Sequence, residues 1–231
     1  MIGILILIAI SWLLLFFIEK KNILALGFLP VIKRLKQFLI GFLFTSILCA
    51  VIQYLEAYLK SSFWFLNNNI SYEIILKSIW WDIKSVWTEE LIFRGALLYI
   101  LIKKIGSRKS ILISAIAFGV YHWFSYGVLG NIIAMIMVFI ATGLMGYAWA
   151  WAFSKSKSII LPLAIHLGWN IVYNTIFSKG PLGKIILISE GGNKLIGLPS
   201  LLNFLSSLVI VPVLVLIYVK YFVKTEAELY K

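Results

Sequence analysis

Apolar residues run along this chain in long, nearly unbroken blocks, and lysines and arginines gather in short clusters between them. A hydrocarbon core about 30 Å thick is crossed by roughly 20 helical residues. By that ruler the blocks predict seven spans, approximately 2–18, 37–59, 80–102, 110–126, 128–153, 158–178 and 198–223. The predicted fold is all-α, a polytopic transmembrane helical bundle, with residues 1–231 forming a single integral-membrane domain. The first block has no basic residue before it and no small-residue cleavage site after it, so it reads as a retained span.

Within the blocks, finer patterns predict how the helices meet the lipid and each other. Tyr72, Ile75, Leu76, Ile79, Trp80, Ile83 and Trp87 recur at helical spacing, which predicts an interfacial helix running into the third span with its tryptophans in the outer headgroup belt. Thr142, Gly146 and Ala150 form a small-residue stripe that favours close helix approach. Pro162 falls in the first turns of the sixth span and Pro212 within the seventh. The glycine-rich stretch 180–197 reads as an outer loop.

Charge orients the bundle. Lys20, Lys21, Lys33, Arg34, Lys36, Lys103, Lys104, Arg108, Lys109, Lys155, Lys157, Lys220, Lys224 and Lys231 sort to one side, against Lys60, Lys77, Lys179, Lys184 and Lys194 on the other. Positively charged loops stay inside, which predicts an external N-terminus and a cytoplasmic C-terminus in a multi-pass protein of the cell membrane. Composition agrees: 62% hydrophobic residues, 13% charged residues and a mean hydropathy of +1.00 exclude an ordinary soluble domain. The net charge of +12 does not signal nucleic acid, because the lysines cluster between apolar blocks instead of lining one polar face. Cys49, the single cysteine, excludes an intrachain disulfide or thiolate cluster and reads as a small packed side chain.

Against this background the ionisable residues predicted at membrane depth stand out, since each costs at least about 2.5–3.5 kcal/mol at the bilayer centre on insertion scales. Glu19, Glu73, Asp82, Glu190, Glu226 and Glu228 are expected in loops or at interfaces, and Glu56 near enough to a span end to snorkel. Glu89, Glu90, Arg94 and the chain's two histidines, His122 and His166, are expected inside spans. Four-residue spacing lets Glu90 pair with Arg94 and puts Asn170 on the face of His166. Glu89 points about 100° away from Glu90, towards another partner. A carboxylate and an imidazole from separate helices suit water activation, the carboxylate taking a proton while the imidazole holds the water or a metal.

The segments Glu89-Glu90-Leu91-Ile92-Phe93-Arg94, Phe118-Gly119-Val120-Tyr121-His122 and His166-Leu167-Gly168-Trp169-Asn170 resemble, in order, the EExxxR, FxxxH and HxxxN motifs of the CAAX protease and bacteriocin-processing family, also called the Abi family. The resemblance covers roughly 85–175, the motif-bearing core. It implies an intramembrane endopeptidase in which Glu89 and His122 activate water, His166 and Asn170 stabilise the oxyanion, and Glu90 and Arg94 support them. Zinc held by Glu89, His122 and His166, and a metal-free reaction with glutamate as base, both stand as mechanisms for such a family. The implied partners are membrane lipids and a peptide or lipidated protein substrate, such as a bacteriocin or pheromone precursor. Two readings from other classes remain beside it: a non-enzymatic immunity or regulatory protein with a structural polar core, and an ion-coupled transporter, for which no inverted repeat is seen.

Overall fold

The computed structural model describes residues 2–226 of the chain. Lys231 and Glu228, assigned above to the basic side and to a loop, lie outside the described residues. Nine α-helices are described: α1 Ile2–Glu19, α2 Val31–Lys60, α3 Tyr72–Arg94, α4 Ala96–Ile105, α5 Ser107–Ser125, α6 Ile132–Ser156, α7 Ile160–Asn170, α8 Gly197–Leu205 and α9 Val211–Tyr221. π-helical turns at Ile171–Ile176 and Ser206–Ile210 continue α7 and join α8 to α9. The helical reading of the fold holds.

Among the described residues four stretches are long and apolar enough to cross a membrane: α1, α2, α6 and Gly197–Tyr221. The other predicted spans are helical but fall short of that test. α3 carries Glu73, Lys77, Asp82, Lys84, Glu89, Glu90 and Arg94 along one helix, and α7 alone has only 11 residues. These are the helices that bring charge and polar groups inward.

The third predicted span is broken at Gly95. A Cβ there would lie 2.1 Å from the Leu91 carbonyl oxygen, so only glycine lets the chain turn between α3 and α4 immediately after Arg94. A second departure is a two-stranded antiparallel sheet, β1 Ser62–Leu66 paired with β2 Leu187–Gly191, in register from Ser62 opposite Gly191 to Leu66 opposite Leu187. The predicted outer loop 180–197 thus contains an edge strand. Short strands of this kind need a partner distant in sequence, which helical periodicity does not reveal.

Helix pairing follows the small residues. α5 packs along α6, where Gly146 lets the Phe118 ring sit against the helix: a Cβ would come within 2.9 Å of it. α2 packs along α7, and Gly168 permits the closest approach, because a Cβ there would lie 2.4 Å from the Phe42 carbonyl oxygen. Cys49 is fully buried and free, as a packed small side chain should be. Outside, large apolar side chains such as Ile40, Ile47, Ile132 and Ile133 are exposed, the surface a lipid-facing bundle presents.

The two ends of the bundle differ in chemistry. At one, Arg34 donates to Glu226 from Nη1 at 2.9 Å and Nη2 at 3.2 Å, and also to the Ser156 carbonyl at 3.1 Å. Burial acts to raise the Glu226 carboxyl, but hydrogen bonds from Arg34, Lys33 and Gln37 outweigh it and hold the group below the ordinary glutamate range. At the other end, Glu56 serves both Lys60 and, at 3.6 Å, Lys179, and Trp64 Nε1 on β1 donates to the Gln53 carbonyl at 3.3 Å.

Candidate active site

A cavity of about 770 Å³ lies among α2, α3, α5, α6 and α7 and reaches Lys179, Gly180 and Pro181 beyond the π-helical turn. Glu89, His122, His166 and Asn170 all line it. The four side chains come from three helices.

Glu90 and Arg94 stand behind this wall, both fully buried on α3. Arg94 Nε donates to Glu90 Oε2 at 2.7 Å, and Arg94 Nη2 donates to Glu90 Oε1. The sequence pairing is therefore made, one helical turn apart. The guanidinium also lies against two aromatic rings, 4.4 Å from the Phe118 ring centroid and 5.0 Å from that of Trp149. Such contacts favour a desolvated cation.

The pair also fixes a histidine. His166 Nδ1 donates to Glu90 Oε1 at 2.9 Å, and its ring stacks on Trp149 with centroids 3.9 Å apart. With Nδ1 committed, Nε2 is the ring's remaining polar atom, and it lies 3.9 Å from Glu89 Oε2. His122 is oriented in the same manner by a different acceptor: its Nδ1 donates to the Phe118 carbonyl at 2.8 Å. A carbonyl cannot donate, so this nitrogen carries the proton and Nε2 of the neutral ring is an acceptor.

Glu89 differs from its neighbour in every respect that matters for chemistry. Its Oε1 accepts from Ser85 Oγ at 3.2 Å, while Oε2 is buried and has no hydrogen-bond partner. The side chain is 13% exposed, against 0% for Glu90. It does not hydrogen-bond to His122; the two face one cavity from α3 and α5. A carboxylate oxygen left without a donor next to water-sized space is the arrangement a proton acceptor requires.

A metal ion would need Glu89, His122 and His166 to converge as ligands. Among the described residues no group of three His, Cys, Asp or Glu side chains is placed to hold one. Both histidines commit Nδ1, one to a carbonyl and the other to a carboxylate, which leaves Nε2 as the remaining ring nitrogen of each, that of His166 3.9 Å from Glu89 Oε2.

Several contributors escaped sequence reading. Asp82, expected at an interface, is fully buried, and Asn174 Nδ2 donates to its Oδ1 at 2.5 Å. The available signal was the helical spacing of Ser78, Asp82, Ser85 and Glu89, which places all four on one face of α3. Trp149, which supports both Arg94 and His166, gave no signal within the apolar α6.

Residues 75–172 match the family model described as type II CAAX prenyl endopeptidase, Rce1-like. That segment runs from α3 to the start of the π-helical turn and contains all three motifs. No curated protein and no solved structure matches the chain.

Proposed function

We propose that this chain, whose residues 75–172 belong to the CAAX protease family, is an intramembrane endopeptidase that cleaves a membrane-associated or lipidated peptide with water activated by Glu89 and His122. The observation that carries the reading is the Glu89 Oε2 without a hydrogen-bond partner, in a cavity shared with two imidazoles whose Nδ1 atoms are both committed.

Water held by His122 Nε2 loses a proton to Glu89, and its oxygen attacks the scissile carbonyl carbon. The oxyanion that forms accepts hydrogen bonds from the Asn170 carboxamide and from His166 Nε2, which donates when the ring is doubly protonated. Glu90, accepting from Nδ1, holds the ring in place. Collapse breaks the C–N bond, and Glu89 returns its proton to the leaving amine. Glu90 and Arg94 do no chemistry in this scheme; they hold His166.

The single domain crosses the cell membrane seven times in this reading, α3 with α4, α7 with its π-helical turn, and α8 with α9 each counting as one crossing. The cavity's outer residues, Gln53, Glu56 and Lys179, lie at the end poor in basic residues, opposite the Arg34–Glu226 cluster. With positive charge inside, the mouth faces outward, and substrate is a peptide whose scissile bond reaches the outer half of the bilayer.

The test compares peptides released from membranes of cells producing wild-type protein, Glu89→Gln and His122→Ala, together with cleavage of a quenched farnesylated peptide by the purified proteins. Products present with wild type and absent with both variants support the proposal. Equal cleavage by all three refutes it.

A further inference from the structure

Beyond the motif residues, one buried carboxylate has no part in the scheme above. Asp82 is fully buried one turn before Ser85 and two before Glu89, on the α3 face that meets the π-helical turn Ile171–Ile176. Its Oδ1 accepts from Asn174 Nδ2 at 2.5 Å, and its Oδ2 is buried with no hydrogen-bond partner. One turn earlier on the same face, Ser78 Oγ and Thr175 Oγ1 share a hydrogen bond of 2.7 Å. Both contacts join α3 to the π-helical turn, 92 and 97 residues away in sequence.

A buried carboxylate is expensive, and apolar packing would hold two helices together at lower cost. Its retention calls for a task that apolar packing does not perform, and the geometry supplies one. α-Helical hydrogen bonding stops at Asn170 and the backbone widens into a π-helical turn, a form that is rare and concentrated at functional sites. Asn170 immediately precedes the widened turn, Asn174 lies within it, and both line the cavity. The direction in which Asn170 presents its carboxamide therefore depends on the π geometry being kept. Asn174 both lines the cavity and hydrogen-bonds Asp82.

The geometry points to Asp82 as a positioning residue: through Asn174 it holds the π-helical turn open and so aims Asn170 at the reacting carbonyl. The assignment of Asn170 to the oxyanion rests on the proposed function; the hold on the turn does not. Asp82 acts here as a hydrogen-bond acceptor and its charge is dispensable. Asp82→Asn, of equal shape and with Oδ1 retained, preserves the contact. Asp82→Ala removes it, and Asp82→Asn with Asn174→Asp reverses its polarity without breaking it.

The experiment measures hydrogen–deuterium exchange of purified full-length protein in detergent, followed peptide by peptide, beside turnover of the quenched farnesylated peptide. In Asp82→Ala, exchange over 171–177 is expected to rise about tenfold or more while α2, α5 and α6 are unchanged. Asp82→Asn and the reversed pair keep wild-type exchange. Turnover in Asp82→Ala falls about 10- to 100-fold in kcat with KM within about twofold, as expected of a group displaced by a fraction of an ångström. Unchanged exchange at 171–177 in Asp82→Ala overturns the proposal, as does a uniform rise across the bundle. Loss of protection in Asp82→Asn equal to that in Asp82→Ala does so too. If wild type leaves the peptide intact, the functional reading fails on that probe, and exchange still decides the role of Asp82.

Discussion

Adjacent glutamates on one helix should give opposite phenotypes when each is changed to glutamine. Glu90 makes two hydrogen bonds with Arg94 and a third with His166, all fully buried. Glutamine removes the charge and turns an N–H group towards donors, leaving the Arg94 guanidinium, whose Nη1 already lacks a partner, as an uncompensated cation. Breaking a buried pair in this way costs about 3–5 kcal/mol. For a chain of this length that is about 6–20 °C in melting temperature. Glu89→Gln loses little by comparison, since its amide oxygen still accepts from Ser85 and Oε2 had no partner to lose, so its stability should stay within about 1 kcal/mol of wild type. Thermal unfolding in detergent, followed by intrinsic tryptophan fluorescence, reads both stabilities, and peptide cleavage reads activity. The expected pattern is a stable, inactive Glu89→Gln and a destabilised Glu90→Gln. A Glu90→Gln protein as stable as wild type, or two variants equally destabilised, would refute the division between a catalytic and a supporting carboxylate.

Gly168 sits between His166 and Asn170, and Gly168→Ala would push a methyl group to 2.4 Å from the Phe42 carbonyl oxygen. Because backbone cannot yield cheaply, α2 and α7 should separate at a cost of about 1–3 kcal/mol, visible as a lower melting temperature together with lost turnover. Glu226 binds its proton more weakly in the folded protein than in the unfolded chain, so the stability it adds is present above the ordinary glutamate range and is lost as pH falls through its lowered folded value. Melting curves from neutral to acid pH should therefore show a drop that Glu226→Gln lacks, with the variant less stable at neutral pH. Orientation is read by a membrane-impermeant maleimide on intact cells: Lys194→Cys should label and Lys109→Cys should not, native Cys49 being buried. Labelling of Lys109→Cys alone would invert the topology.

The sequence by itself was enough for the helical, membrane-compatible fold, because a lipid-exposed surface requires long apolar blocks and interrupts them with charge only at a cost. It also determined the Glu90–Arg94 pair, which local spacing along one helix dictates, and the three motifs that the family match independently covers. It could not show that Glu90 reaches His166 across 76 residues, that Asp82 is buried against Asn174, or that β1 pairs with β2. Those contacts depend on which helix faces bring distant residues together, and helical period alone leaves that choice open. The small-residue approaches at Gly146 and Gly168 and the break at Gly95 make it, and they turn a set of isolated polar residues into one cavity with Glu89, whose Oε2 has no hydrogen-bond partner, on its wall.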